Sequence, residues 1–114
     1  MGQIGEGVVG WFYLVAAGLL EVVFALGLKY SEGFTKPVPT VVFLVGGAGS
    51  FFLLTRALQT LPIGTAYAVW TGIGATGTAL IGLLVLGEPR SALRLASIAV
   101  IIAGVVGLRL AEGG

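Results

Sequence analysis

Residues 9–28 read VGWFYLVAAGLLEVVFALGL, an apolar run that holds a single ionisable side chain, Glu21. A helix needs about 20 apolar residues to cross the ~30 Å hydrocarbon core of a bilayer, and this run supplies them. Trp11, Phe12 and Tyr13 open it with aromatic side chains suited to a membrane–water interface. The run lacks the basic leader of a secretory signal and carries a carboxylate in its apolar stretch. It also shows no convincing small-residue cleavage site before Lys29, so it reads as a retained span.

Working outward, three more segments have the same character. The second runs from Val38 to about Thr55, between the Lys36-Pro37-Val38-Pro39 break and Arg56. Leu61-Pro62-Ile63-Gly64 makes a short turn, since a proline disfavours helical geometry in the residue before it. The third runs from about Thr65 to Leu86 without a charge, and Gly87-Glu88-Pro89-Arg90-Ser91 closes it. The fourth runs from about Leu93 to Leu110, with Arg94 and Arg109 placed to snorkel to the interfaces. The sequence therefore predicts an all-α membrane protein over 1–114. Its single domain has four transmembrane helices, at about 9–29, 38–56, 65–87 and 93–110.

Composition agrees. Charged residues make up 10% of the 114, against about 25% in soluble domains, and mean hydropathy is +1.08. The 11 charges cannot cover a soluble globule of this size, and a net charge of +1 without a basic run gives nucleic acid nothing to bind. With no Cys and no His, the chain has no thiol nucleophile, imidazole base or zinc-finger ligand set, so no metal or cofactor is implied and an enzyme is excluded. The 20 glycines follow neither a collagen period nor a low-complexity tract.

With four spans, both termini lie on one side together with Arg56 and Arg109, while Lys29, Lys36, Arg90 and Arg94 lie on the other. A bias of 4 basic side chains against 2 is weak, so the charge pattern permits insertion in either orientation.

Glu21 carries the chemistry. An ionisable group at mid-bilayer costs about 2.5–3.5 kcal/mol on insertion scales. The interiors of the other spans hold no Lys, Arg or His to pair with it. A carboxylate so placed either takes up a proton, because desolvation disfavours the charged form of an acid, or binds a cation from outside. Proton and cation then exclude each other at one place, which is the minimal chemistry of a proton-coupled antiporter. A protonated glutamate with a purely structural hydrogen bond is the bland alternative.

Ala17, Gly18, Phe24 and Ala25 share the helix face of Glu21, where small residues serve either close packing or a ligand. Tyr67 and Trp70, three apart on the third span, offer aromatic faces to a cation and N–H and O–H donors to a carboxylate. On position alone Tyr67 fits an interfacial belt equally well. The glycine cluster Gly72, Gly74 and Gly77 suits a bend or a close helix crossing. Ser50 is the one polar side chain between Thr40 and Thr55, and a serine in a membrane helix most often bonds its own i−4 carbonyl. Ser97, Gly104 and Gly107 in the fourth span read as a helix–helix contact. A bundle this thin can barely enclose an aqueous path, so oligomerisation follows from size.

Two stretches resemble the small multidrug resistance family. They are Ala17-Gly18-Leu19-Leu20-Glu21-Val22-Val23-Phe24-Ala25-Leu26-Gly27-Leu28-Lys29-Tyr30 and Leu61-Pro62-Ile63-Gly64-Thr65-Ala66-Tyr67-Ala68-Val69-Trp70-Thr71-Gly72-Ile73-Gly74-Ala75. The likeness continues through Gly87-Glu88-Pro89 and the fourth helix. It implies a four-helix protomer, an antiparallel dual-topology dimer, and alternating access with proton/cation exchange at Glu21 in a bacterial inner membrane. The wording of both motifs looks most like the guanidinium-exporter subtype. That likeness implies a small-cation site of Glu21, Phe24, Ser50, Tyr67 and Trp70, a helix-three bend at Gly72 and Gly74, and no cofactor.

The subtype has Trp where this chain has Phe24, which keeps an aromatic face and loses an indole N–H. This departure points toward substituted guanidines or small quaternary ammoniums, and leaves open a heterodimer of two related chains beside the homodimer. A non-transporting assembly subunit and a passive cation channel are the rivals from other classes.

Overall fold

The computed structural model describes residues 2–112, and its elements are four α-helices: α1 (Gly2–Tyr30), α2 (Pro37–Ala57), α3 (Ile63–Leu84) and α4 (Ala92–Ala111). All four are long and apolar enough to cross a membrane. Leu19, Leu44, Phe52, Leu93 and Val100 are among many large apolar side chains that stay exposed, as a lipid-facing surface requires.

The boundaries follow local chemistry. Ser31 ends α1: its hydroxyl donates to Leu28 O at 2.7 Å and accepts from Phe34 N–H at 3.2 Å. The chain then reverses through three successive left-handed residues, Glu32 (φ 48°), Gly33 (φ 72°) and Phe34 (φ 69°). Only the glycine adopts that region without steric cost, and the Phe34 ring is held against Phe43, 5.6 Å between centroids. Pro37 starts α2 at a position where its missing N–H has no helical partner to lose. Pro62 caps α3 in extended geometry (ψ 144°).

The third helix stops at Leu84, short of Gly87. Gly87 turns the chain at φ 71°, and the Arg90 guanidinium donates to Leu83 O at 3.0 and 3.3 Å, closing the helix end. Ser91 caps α4 by accepting from Arg94 N–H at 3.2 Å. At its N-terminal end α1 runs past the interfacial aromatics to Gly2, because no proline interrupts residues 2–10.

Packing is centred on α1, which lies against both α2 and α3. The core is Leu14, Ala17, Leu54, Ala57, Leu61, Ala66, Val69 and Trp70. α4 packs its backbone on α3 alone, and its one buried residue is Ile98. The protomer is consequently a slab of Cα extents 48 × 35 × 18 Å. Small residues set the close approaches. A Cβ on Gly27 would meet the α2 backbone at Phe43 N (2.8 Å) and Pro39 O (2.9 Å), and one on Gly46 would meet Phe24 Cβ at 3.2 Å.

Candidate functional site

Glu21 sits two turns before the end of α1 on the side facing α3, and its carboxyl group rests directly on Gly74. A methyl group at Gly74 would overlap that carboxyl, so the absence of a side chain there makes the seat. Glu21 Oε1 is buried and has no hydrogen-bond partner among the described residues. The other glycines of the cluster face elsewhere. A Cβ on Gly72 would meet Val105 of α4 at 2.6 Å, and one on Gly77 would meet Val22 of α1 at 2.5 Å. α3 runs through all three as continuous α-helix. Gly18 is the reciprocal contact from α1, buried against Ile73.

Ser50 does not back-bond within its own helix. Its hydroxyl donates across to Ala17 O at 2.7 Å, and Trp70 Nε1–H donates to Ser50 Oγ at 2.9 Å. Ala17 O is also the acceptor that α-helical geometry assigns to the Glu21 backbone N–H, four residues on. One buried chain thus ties α3 to α2, and α2 to the turn of α1 that carries Glu21.

The aromatic side chains form a continuous row. Tyr67 meets Trp70 (centroids 5.4 Å apart), Trp70 meets Phe51 (5.2 Å), and Phe51 stacks with Phe24 (6.4 Å, 19° between planes). Phe24 in turn meets Phe43 edge-on (6.0 Å, 79°). Tyr67 and Phe51 are more than half exposed, so the row lines an open face. Sequence reasoning missed Phe43 and Phe51. The available signal was their eight-residue spacing, which puts them with Ser50 on one stripe of α2.

Ser97 and the two α4 glycines lie away from this site. Ser97 donates to its own Leu93 O at 2.7 Å, and open space surrounds Gly104 and Gly107. Among the described residues no three His, Cys, Asp or Glu side chains come together to hold a metal ion.

A family model described as "Small Multidrug Resistance protein" matches residues 9–101. This chain belongs to the small multidrug resistance family. It is similar to a guanidinium exporter of Yersinia pseudotuberculosis, 56% identical over 102 residues that cover 90% of this chain and 98% of the relative. It is 53% identical over 100 residues to the guanidinium exporters of Citrobacter freundii and Escherichia coli K12, covering 88% of this chain and 95% of each relative. The relatives are named as exporters and not as enzymes. As a small multidrug resistance protein with four spans, the chain is a multi-pass protein of the bacterial plasma membrane.

Proposed function

We propose that this protein is a proton-coupled antiporter that exports guanidinium, and that Glu21 is the group for which proton and cation compete. The carrying observation is the buried Glu21 oxygen with no donor near it, seated on Gly74 where its own chain offers no cation. A planar guanidinium presents paired N–H donors that match a carboxylate, and its faces stack on aromatic rings. Both partners lie within this site. Glu21 supplies the acceptor, while Tyr67, Trp70, Phe51 and Phe24 supply rings. The names of the relatives support guanidinium as the substrate.

In this reading the ionised carboxylate binds guanidinium on the cytoplasmic side and releases it outside when a proton takes its place. Ser50 and Trp70 hold the register of α1, α2 and α3 around the carboxylate. A single protomer is a slab with its aromatic row open, so the cavity is completed by a second copy, in an antiparallel homodimer. Ser97, Gly104 and Gly107 present the open small-residue stripe of α4 to that copy.

Phe24 favours a second, wider reading of the substrate. Its ring is flanked by Phe43 and Phe51 and carries no N–H for the carboxylate, so this wall of the site is apolar. Alkyl- and phenyl-substituted guanidiniums, and small quaternary ammoniums, fit such a wall by burying their apolar parts. The test is guanidinium-driven proton flux in proteoliposomes containing wild type or Glu21→Gln. Flux is expected in the first only, and equal flux in both would overturn the mechanism.

A further inference from the structure

A groove unrelated to Glu21 opens between α1 and α4, with α3 as its floor. It consists of two adjoining volumes of about 330 and 260 Å³ that share Ile73, Val105 and Val106. At one end it is bounded by Trp11 and Arg109, and at the other it reaches Leu19. From Trp11 to Leu19 the wall spans nine residues of α1, a rise of about 12 Å. That depth is close to one leaflet of a ~30 Å hydrocarbon core. The lining is apolar apart from Arg109 at the mouth and Thr76 at the inner end.

Arg109 stands where the groove meets the membrane surface. Its guanidinium lies over the Trp11 ring, 5.1 Å from the centroid, and at the same end Arg56 lies over Tyr13 at 5.5 Å. At the opposite end of the bundle two of the four cations are ion-paired, while Lys29 lies over the Tyr30 ring at 5.9 Å and Arg90 donates to Leu83 O. Lys36 meets Glu32 at 3.8 Å and Arg94 meets Glu88 at 2.5 Å. Among the described side chains, Arg109 and Arg56 rest on aromatic faces, with no carboxylate in ion-pair contact, while Glu112 at that end is engaged by the Thr65 hydroxyl at 3.3 Å. A guanidinium stacked on one face still presents its in-plane N–H fork, the geometry that matches a phosphate.

We propose that this groove is a binding site for an anionic phospholipid, one acyl chain lying along Ile73, Val105 and Val106 and the phosphate meeting Arg109. Charge complementarity favours a lipid: an apolar groove that ends on a guanidinium with no carboxylate in ion-pair contact matches an acyl chain that ends on a phosphate. Position agrees, because Gly104 and Val106 are two residues apart on α4 and so point about 160° away from each other. A partner packed on the Ser97–Gly104 stripe therefore leaves the groove uncovered. The site does not depend on the transport mechanism.

The test is native mass spectrometry of the full chain released from vesicles of equal parts phosphatidylcholine and phosphatidylglycerol. One basic residue at a membrane surface favours anionic lipid about fivefold, so wild type is expected to retain phosphatidylglycerol over phosphatidylcholine by about that factor. Arg109→Gln is expected to bring the two lipids to parity, whereas Lys36→Gln, at the opposite end, keeps the preference. Val106→Trp, which fills the groove, is expected to lose the retained lipid of both kinds. Equal retention by wild type, or an unchanged preference in Arg109→Gln, would overturn the proposal. The chain has no cysteine, so oxidation of a Val106→Cys variant gives a clean second reading. A disulfide-linked dimer would assign the groove to a second copy and overturn the lipid assignment.

Discussion

The Trp70 indole N–H donates to Ser50 Oγ at 2.9 Å, and the Ser50 hydroxyl in turn donates to Ala17 O at 2.7 Å. Three helices are joined through one hydroxyl, and Ser50 is wholly buried. Ser50→Ala would leave a buried indole N–H without an acceptor, at a cost of about 1–3 kcal/mol. The expected result is a lower thermal midpoint and weaker guanidinium binding together. Ser50→Thr, which keeps a hydroxyl, is expected to recover part of both. An alanine variant with unchanged stability and affinity would show the hydrogen-bonded tie to be dispensable.

Gly74 is argued to position the Glu21 carboxyl, since a methyl at that point occupies the same space. Gly74→Ala should push the carboxyl off its seat. A displacement near 1 Å at a reacting group reduces turnover by about hundredfold. Gly72→Ala is the matched control, because its methyl meets Val105 of α4 and leaves the carboxyl alone. Proteoliposome flux should fall much more in the first variant than in the second. Equal losses would mean that the glycines act through helix flexibility, with no special role for the seat.

Competition between proton and cation fixes a sign for pH. On the proposed mechanism guanidinium binds the ionised form of Glu21, so affinity is expected to rise with pH until the carboxyl is fully ionised and to be flat above that point. Where one proton is displaced per cation, affinity changes about tenfold per pH unit on the acidic limb. Titration calorimetry across the range reads this slope directly. Affinity independent of pH, with Glu21→Gln binding as wild type does, would remove Glu21 from the binding step.

Phe24 sets the polarity of one wall. Phe24→Trp introduces an N–H donor beside Phe43 and Phe51, with Gly46 opposite its Cβ leaving room at the helix crossing. The expected outcome is a narrower substrate range. Phenylguanidinium and tetraalkylammonium transport should fall several-fold relative to guanidinium in the same assay. An unchanged ratio across that panel would mean that Phe24 does not determine selectivity.

Some of the site is legible in the sequence. Glu21 stands out because it is the one charge inside four apolar runs, a property of composition along the chain. Tyr67 and Trp70 share a helix face by their spacing, and Ser50 is conspicuous as a lone polar residue in an apolar helix. The acceptor of Ser50 was not legible. A serine in a helix can bond its own carbonyl at i−4, and only the packing of α2 on α1 places the Ala17 carbonyl within reach. The glycine cluster was equally ambiguous. A bend and a close crossing have the same sequence, whereas Gly72, Gly74 and Gly77 meet three different neighbours, Val105, Glu21 and Val22.

The sequence by itself determined four membrane helices and the one ionisable side chain inside them, Glu21. Both follow from local quantities, the length of an apolar run and the cost of a buried charge, which need no knowledge of neighbours. Tertiary structure alone decided what each small or aromatic residue touches. It made Gly74 the carboxyl seat, joined Phe43 and Phe51 to the aromatic row, and set Arg109 over Trp11 at the mouth of a groove. The reason is that apolar faces in a bilayer do not specify their partners by hydrophobicity. Shape, hydrogen bonds and close backbone approach choose them, and these exist only once the helices are packed.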